Sequence, residues 1–214
     1  MGLPFRLFTV AYSFAMMSVA LFILTCGILG KKMKGRPLAV FCVVSQALQW
    51  LGLLWPILLY LLGAKDEFET VSAFDILTYT PVVLFLGWQL ARTFRMPFLH
   101  TFTAAVLGSF IGNTANGVMA LVVERYSPLF DRMYILAFVL LYIPYTLTVG
   151  VAWLASFILR RSEFYRYFSV LFRSRTRAIL TLLICYGLMC MMPILHTLFP
   201  GIDPDAEYGV LIFS

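Results

Sequence analysis

The sequence predicts an all-α protein, a polytopic bundle of membrane-spanning helices, and three observations lead to this prediction. Hydrophobic residues make up 62% of the 214 residues and charged residues only 12%, whereas average soluble domains have roughly 45–50% and about 25%. Six apolar runs are long enough to cross a bilayer as helices, which takes about 20 residues each. The charge of the loops between these runs alternates along the chain. Because no polar stretch could build a soluble domain, residues 1–214 are expected to form a single transmembrane domain.

The expected spans are 5–30, 37–63, 72–91, 98–123, 134–159 and 178–199. A backbone inside hydrocarbon must satisfy its own hydrogen bonds, so each span is expected to be helical. The first run is too long for the apolar part of a signal peptide, and basic residues follow it in place of a cleavage site. It is therefore predicted to remain in the protein as a span.

The loops after spans one, three and five carry most of the positive charge. They hold four, two and six Lys and Arg residues, which is 12 of the 16 in the chain, and one of the 10 acidic residues. Because loops rich in Lys and Arg stay in the cytoplasm, we predict a multi-pass protein of the cell membrane with an extracellular N-terminus. Topology and anionic lipid headgroups account for the net charge of +6. No nucleic-acid partner is expected, since no recognition motif accompanies the charge.

The loop at residues 160–177 has a helical period of its own. Its membrane-surface basic residues are Arg160, Arg161, Arg166, Arg173, Arg175 and Arg177. At 3.6 residues per turn, one face carries Phe164, Phe168, Leu171 and Phe172, and the opposite face carries Arg166, Arg173 and Arg177. This pattern is typical of a basic amphipathic helix in the inner headgroup region. The alternative is that the segment extends spans five and six into the cytosol.

The C-terminal residues 208–214 are apolar and follow a short acidic stretch. We expect them to begin a seventh span that continues beyond Ser214. The alternative is a short apolar C-terminus that folds against the bundle.

Polar residues near the middle of spans are the candidate functional residues, because they are costly in hydrocarbon. Gln46 and Gln49 in span two, and Asn113 and Asn116 in span four, are pairs spaced three apart, so each pair shares a helix face. We expect these four amides to form an intramembrane polar cluster. Either they hydrogen-bond helix to helix, or they bind a ligand or a transported molecule. Span four also carries Gly108, Ser109 and Gly112, and its two glycines have the spacing that lets helices pack closely.

No residues are predicted to be catalytic. The chain has no HExxH, GxSxG or nucleotide-binding glycine motif. The four cysteines lie in apolar runs without a CxxC or Cys/His cluster, so neither a metal site nor a cofactor is expected.

The layout combines an outward N-terminus, six or seven spans with short loops, and a basic cytoplasmic helix. In this it resembles the membrane sensor halves of bacterial peptide-sensing histidine kinases of the accessory-gene-regulator type. The resemblance covers the whole chain at the level of topology. It implies a signal-transduction module whose cytoplasmic kinase domain would lie outside these 214 residues. The expected partners are the lipid bilayer, an extracellular peptide or small-molecule signal, and a second copy of the chain in a homodimer. The alternatives are a transporter or permease subunit, a membrane-embedded enzyme, and a structural membrane protein.

Overall fold

The computed structural model describes residues 3–61, 71–126, 134–162 and 165–198, with side chains mainly in 11–52, 79–112, 145–162, 165–172 and 174–188. In this part of the chain there are seven α-helices and no β-strand, so the all-α prediction is confirmed for the described residues. The helices are α1 (Leu3–Ile28), α2 (Gly35–Leu61), α3 (Val71–Phe94), α4 (Phe98–Tyr126), α5 (Tyr134–Arg161), α6 (Tyr165–Arg173) and α7 (Arg175–Leu198). Residues 208–214, expected to begin a seventh span, lie outside the described residues.

The six long helices begin and end within three residues of the predicted apolar runs. Part of the 160–177 segment forms a short helix, α6, between α5 and α7. Its placement in the headgroup region stays a prediction. Ser174 separates α6 from α7. Its hydroxyl accepts a hydrogen bond from the backbone N–H of Arg177 at 3.1 Å, which is how an N-cap residue starts a new helix.

Two of the basic loops begin with the same kind of helix end. After α1, Gly30 has a φ of +64°, and Lys31 N–H donates to Cys26 O at 2.9 Å. After α3, Arg95 has a φ of 52°, and Met96 N–H donates to Ala91 O at 3.1 Å. Many helices end with a residue in the left-handed backbone conformation, followed by an N–H that donates to the carbonyl five residues before it. This helix end turns the chain sharply back into α2 after the first loop and into α4 after the second.

Helices α1 and α4 form the centre of the fold, because each packs against four other helices. Helix α1 contacts α2, α4, α5 and α6, and helix α4 contacts α1, α3, α5 and α7. Small residues mark the closest approaches. Gly27 lies against the backbone of Ser156 in α5, and Gly108 of α4 lies against Thr25 of α1. The side chains from Ala20 to Leu29 are buried almost without interruption, and they form the core together with Phe41, Leu86 and Val106. Helix α3 packs between α2 and α4, and α7 packs against α4.

Among the described residues, one helix is both long enough and apolar enough to cross a membrane by length and composition. It is Ala11–Ile28 of α1, with a mean hydropathy of 1.9 and 56% of the stretch buried. A shorter apolar stretch, Phe98–Gly112, lies in α4. The core helix of a soluble protein meets the same test. The side chains that the other helices turn outward are therefore more informative about whether the bundle lies in a membrane.

Candidate functional site

A buried polar network joins α1 to α2 at the level of Ser18. The Ser18 hydroxyl donates to Phe14 O at 2.7 Å and accepts from Gln49 Nε2 at 3.1 Å. The Ser45 hydroxyl lies 2.8 Å from Ser18 Oγ. Ser18, Ser45 and Gln49 are all buried. One turn away, Gln46 Nε2 donates to Ala11 O of α1 at 3.1 Å. Both glutamines of the predicted cluster therefore bond to α1.

The side chains of Asn113 and Asn116, the other half of the predicted cluster, lie outside the described residues. The two glycines of α4 differ. A Cβ added to Gly108 would lie 2.8 Å from Thr25 Oγ1, whereas one added to Gly112 would meet nothing within 4 Å in the described structure. The close approach of α4 to α1 therefore occurs at Gly108.

A small cavity lies where α3, α4 and α7 meet. It has a volume of about 10 Å³, and the residues that line it are Tyr79, Thr80, Val83, Phe102, Val106, Ser109 and Tyr186. The hydroxyls of Thr80 and Tyr186 are hydrogen-bonded at 2.6 Å. Ser109 is only 2% exposed, and its Oγ has no hydrogen-bond partner among the described residues. The cavity has about the room that one water molecule needs, so its polar groups bind nothing larger in this conformation.

The loops after α1, α3 and α5 meet at one end of the bundle. Lys34 Nζ lies 5.5 Å from the centre of the Phe94 ring, which joins the first basic loop to the end of α3. The ring of Tyr165 covers Gly30, which joins the first basic loop to α6. His100, at the start of α4, stacks on Phe172 of α6 with ring centres 6.5 Å apart.

The predicted membrane-surface arginines occupy this basic end. Arg160 Nε donates to Ser156 O at 3.1 Å, and the Arg161 guanidinium lies over the Phe157 ring at 5.8 Å. Arg166, Arg175 and Arg177 are exposed. The backbone of Arg173 ends α6, while its side chain lies outside the described residues. The guanidinium of Arg92 lies 4.6 Å from the centre of the Trp88 ring.

Sequence reasoning missed the contact residues of α1. Ala11, Ser18 and Thr25 recur every seven residues in α1, and each of them contacts a neighbouring helix. A search for small and hydroxyl residues at this period would have found them, because such residues are enriched where membrane helices meet.

The described residues contain no group of three His, Cys, Asp or Glu side chains that could hold a metal ion. Comparison with known proteins gives no match, because no family model, curated protein or solved structure aligns significantly with the chain.

Proposed function

We propose that the chain is a membrane-embedded helix bundle that crosses the cell membrane six times and acts as the sensor module of a signal-transduction protein. The observation that carries the membrane part is the distribution of side chains. Many large apolar residues face outward on the four outer long helices: Val40, Val43, Leu51 and Leu54 of α2, Leu84 and Trp88 of α3, Leu147, Val151, Leu154 and Ile158 of α5, and Ile179, Leu180, Leu183 and Ile184 of α7.

The interior is mainly apolar, but it also buries a set of hydroxyl and amide side chains. Buried polar residues of the bundle include Ser18, Thr25, Ser45, Gln49, Thr101, Thr103, Ser109, Thr148 and Ser156. A soluble bundle places its apolar stripe inward and its charged face outward. Lipid reverses this preference, because small and hydroxyl residues pack between helices while aliphatic side chains face the acyl chains. An apolar outer surface this extensive needs a partner, and a bilayer covers all of it.

The orientation follows from the basic end. Three loops with most of the Lys and Arg residues lie together there, so the positive-inside rule favours a cytoplasmic location for that end. The N-terminus and the loops after α2, α4 and α7 are then extracellular.

The sensor part of the proposal rests on the contact between α1 and α6. Helix α1 ends at Ile28, and Gly30, two residues later, lies directly under the ring of Tyr165 at the start of α6. A shift of α1 along or about its axis would act on the start of α6 through this contact. A signal at the extracellular end would act by favouring one of two pre-existing positions of this pair. The resemblance to peptide-sensing histidine kinases implies that a kinase domain would supply the output.

A fluorescence experiment tests the sensor proposal. A variant without native cysteines carries an environment-sensitive dye at Tyr167→Cys, which is an exposed position on α6, and is reconstituted into vesicles. The probe is the peptide fraction of medium in which the source cells have grown, and fresh medium processed in the same way is the control. We expect a change in dye emission with the peptide fraction only. A dye at Arg92→Cys, an exposed position near the end of α3, should not respond, because α3 is not among the main packing partners of α1 or α6.

Two results would contradict the sensor proposal. One is an unchanged emission at Tyr167→Cys over the full concentration range of the peptide fraction. The other is accumulation of radiolabelled components of that fraction inside the vesicles, which would assign the bundle to transport.

A further inference from the structure

Two outer helices carry an arginine over an exposed aromatic ring at the basic end of the bundle. On α3, the Arg92 guanidinium lies 4.6 Å from the centre of the Trp88 ring. On α5, the Arg161 guanidinium lies 5.8 Å from the centre of the Phe157 ring. In both cases the arginine follows the ring by four residues and is one of the last three residues of its helix. We call these two contacts the α3 pair and the α5 pair.

Both pairs lie on the outer surface of the bundle. Trp88 is 45% exposed and Phe157 is 39% exposed, and both arginines are exposed as well. The contact between Lys34 and Phe94 differs, because it joins two segments of the chain and its ring is half-buried. Helices α3 and α5 share only α4 among their main packing partners. The two pairs therefore lie on different parts of the outer surface.

The outward side chains change in the same order along both helices. One turn before the ring of each pair stands another large exposed side chain, Leu84 on α3 and Trp153 on α5. The Trp153 ring stacks on Phe157 with ring centres 5.8 Å apart. From this side chain to the arginine, each helix rises by roughly 12 Å towards the basic end. A bilayer changes in the same order, from hydrocarbon to the interface that favours aromatic rings and then to the headgroups.

The chemistry of the two arginines favours a phosphate group as their ligand. A guanidinium that lies over a ring uses its flat face, so the N–H groups at its edge are left for an acceptor. None of the 10 acidic residues of the chain is among the described side chains, so no described carboxylate binds Arg92 or Arg161. Arginine binds phosphate oxygens through two parallel N–H bonds. At the edge of a membrane, lipid headgroups supply these phosphates.

We propose that each pair binds the phosphate of a phospholipid in the cytoplasmic leaflet, with the guanidinium on the phosphate and the ring beneath the headgroup. Two such contacts on different parts of the outer surface hold the bundle at one depth in the membrane. The proposal rests on the membrane embedding proposed above. It adds two defined lipid contacts to the general attraction between a basic protein surface and an anionic leaflet.

Quenching of a single tryptophan by brominated lipid tests the α3 pair. The full chain with Trp50→Phe, Trp55→Phe and Trp153→Phe keeps Trp88 as the only tryptophan, and it is held in maltoside micelles, which contain no phosphate. Phosphatidylglycerol and diacylglycerol with the same brominated acyl chains are titrated separately. We expect phosphatidylglycerol to quench Trp88 at a roughly fivefold lower concentration, which is the gain expected from one arginine near a lipid phosphate.

Each pair supplies the matched control for the other. Arg92→Gln should remove the advantage of phosphatidylglycerol at Trp88 and leave the quenching by diacylglycerol unchanged. Arg161→Gln loses the same charge at the α5 pair and should have no effect at Trp88. A second reporter, in which Trp153 is the only tryptophan, should give the reverse result, with a loss in Arg161→Gln and none in Arg92→Gln.

Three results would overturn the proposal. Equal quenching of Trp88 by the two lipids would show that the phosphate contributes nothing. Equal losses at Trp88 in Arg92→Gln and Arg161→Gln would show that net charge attracts the lipid and that the local pair does not. If excess inorganic phosphate at constant ionic strength abolished the advantage of phosphatidylglycerol, the arginines would be sites for free anions.

Alkaline extraction of membranes from the expressing cells distinguishes this proposal from the membrane embedding. A protein that stays in the extracted membranes and shows no advantage of phosphatidylglycerol refutes the lipid contacts alone. A protein released by alkali refutes the membrane embedding and the lipid contacts together.

Discussion

The contact between α1 and α5 at Gly27 allows a sharp test of the packing. A Cβ built on Gly27 would lie 2.7 Å from Ser156 Cα and 2.7 Å from Ser156 Oγ. Ordinary van der Waals contact begins at 3.4 Å. Because one of the opposing atoms belongs to the backbone, no rotamer of Ser156 can remove the clash. In the Gly27→Ala variant, α1 and α5 must therefore move apart by the better part of an ångström.

The cost follows from overpacking. Forcing an extra carbon into a well-packed contact typically costs about 1–3 kcal/mol. Alanine is also about 1 kcal/mol more favourable than glycine within a helix. This gain offsets part of the clash, so the stability change measured for Gly27→Ala alone would understate the cost of the clash. Gly150, on the same helix as Ser156, is the matched control, because a Cβ there would meet nothing within 4 Å. Both substitutions share the propensity gain, so the free energy of unfolding of Gly27→Ala should be about 1–3 kcal/mol below that of Gly150→Ala.

The assay is reversible unfolding by SDS in mixed micelles, followed by tryptophan fluorescence. Separate measurements on the wild-type protein, Gly27→Ala and Gly150→Ala give the two differences in the free energy of unfolding. If Gly27→Ala proves as stable as Gly150→Ala, the close approach of α1 and α5 at this point is wrong.

Three further substitutions have expected outcomes in the same unfolding assay or by thiol labelling. Ser109→Ala should raise the free energy of unfolding by about 1 kcal/mol, because its buried hydroxyl has no partner in the part of the chain that the structure describes; a decrease would mean that the hydroxyl bonds a water in the cavity. Gln49→Leu should lower it by about 0.5–1.5 kcal/mol through the lost bond to Ser18, and an unchanged value would show that this bond contributes nothing. Gly30→Ala should undock α6, since a Cβ there would lie 2.5 Å from the Tyr165 ring and the backbone is left-handed. A cysteine at the buried position Phe172 should then react faster with a maleimide in the Gly30→Ala background, whereas Gly35→Ala, with open space around it, should leave the rate unchanged.

The sequence was enough to predict the long helices, and the reason is physical. If the bundle is embedded in lipid as proposed above, a run of apolar residues can satisfy its backbone only as a helix, so the boundaries of α1, α2 and α5 follow from where the charges begin. The sequence predicted the helical character of α6 but not where it ends. Its alternation of aromatic and basic residues indicated an amphipathic helix, but the break between α6 and α7 depended on the cap at Ser174.

The arrangement of the helices could not be predicted in the same way. Residues that are apolar on every face carry little information about which face meets a neighbour. The contacts depend on single small residues such as Gly27 and Gly108. Gly27 was not distinguishable from the other small residues in the runs, whereas Gly108 belongs to the glycine pair of α4. For the same reason the predicted cluster of four amides was only a hypothesis about proximity. Gln46 and Gln49 hydrogen-bond to α1, which the spacing of the amides alone did not indicate.

The central claim is that lipid covers the outer surface of this bundle and that its basic end lies in the cytoplasm. The most direct measurement is cysteine labelling in cells with a membrane-impermeant maleimide, in a variant without the four native cysteines. Lys32→Cys, in the first basic loop, should be labelled only after the membrane is permeabilised, and Lys65→Cys, after α2, should be labelled in intact cells. Labelling of Lys32→Cys in intact cells, or recovery of the protein in the soluble fraction, would contradict the claim.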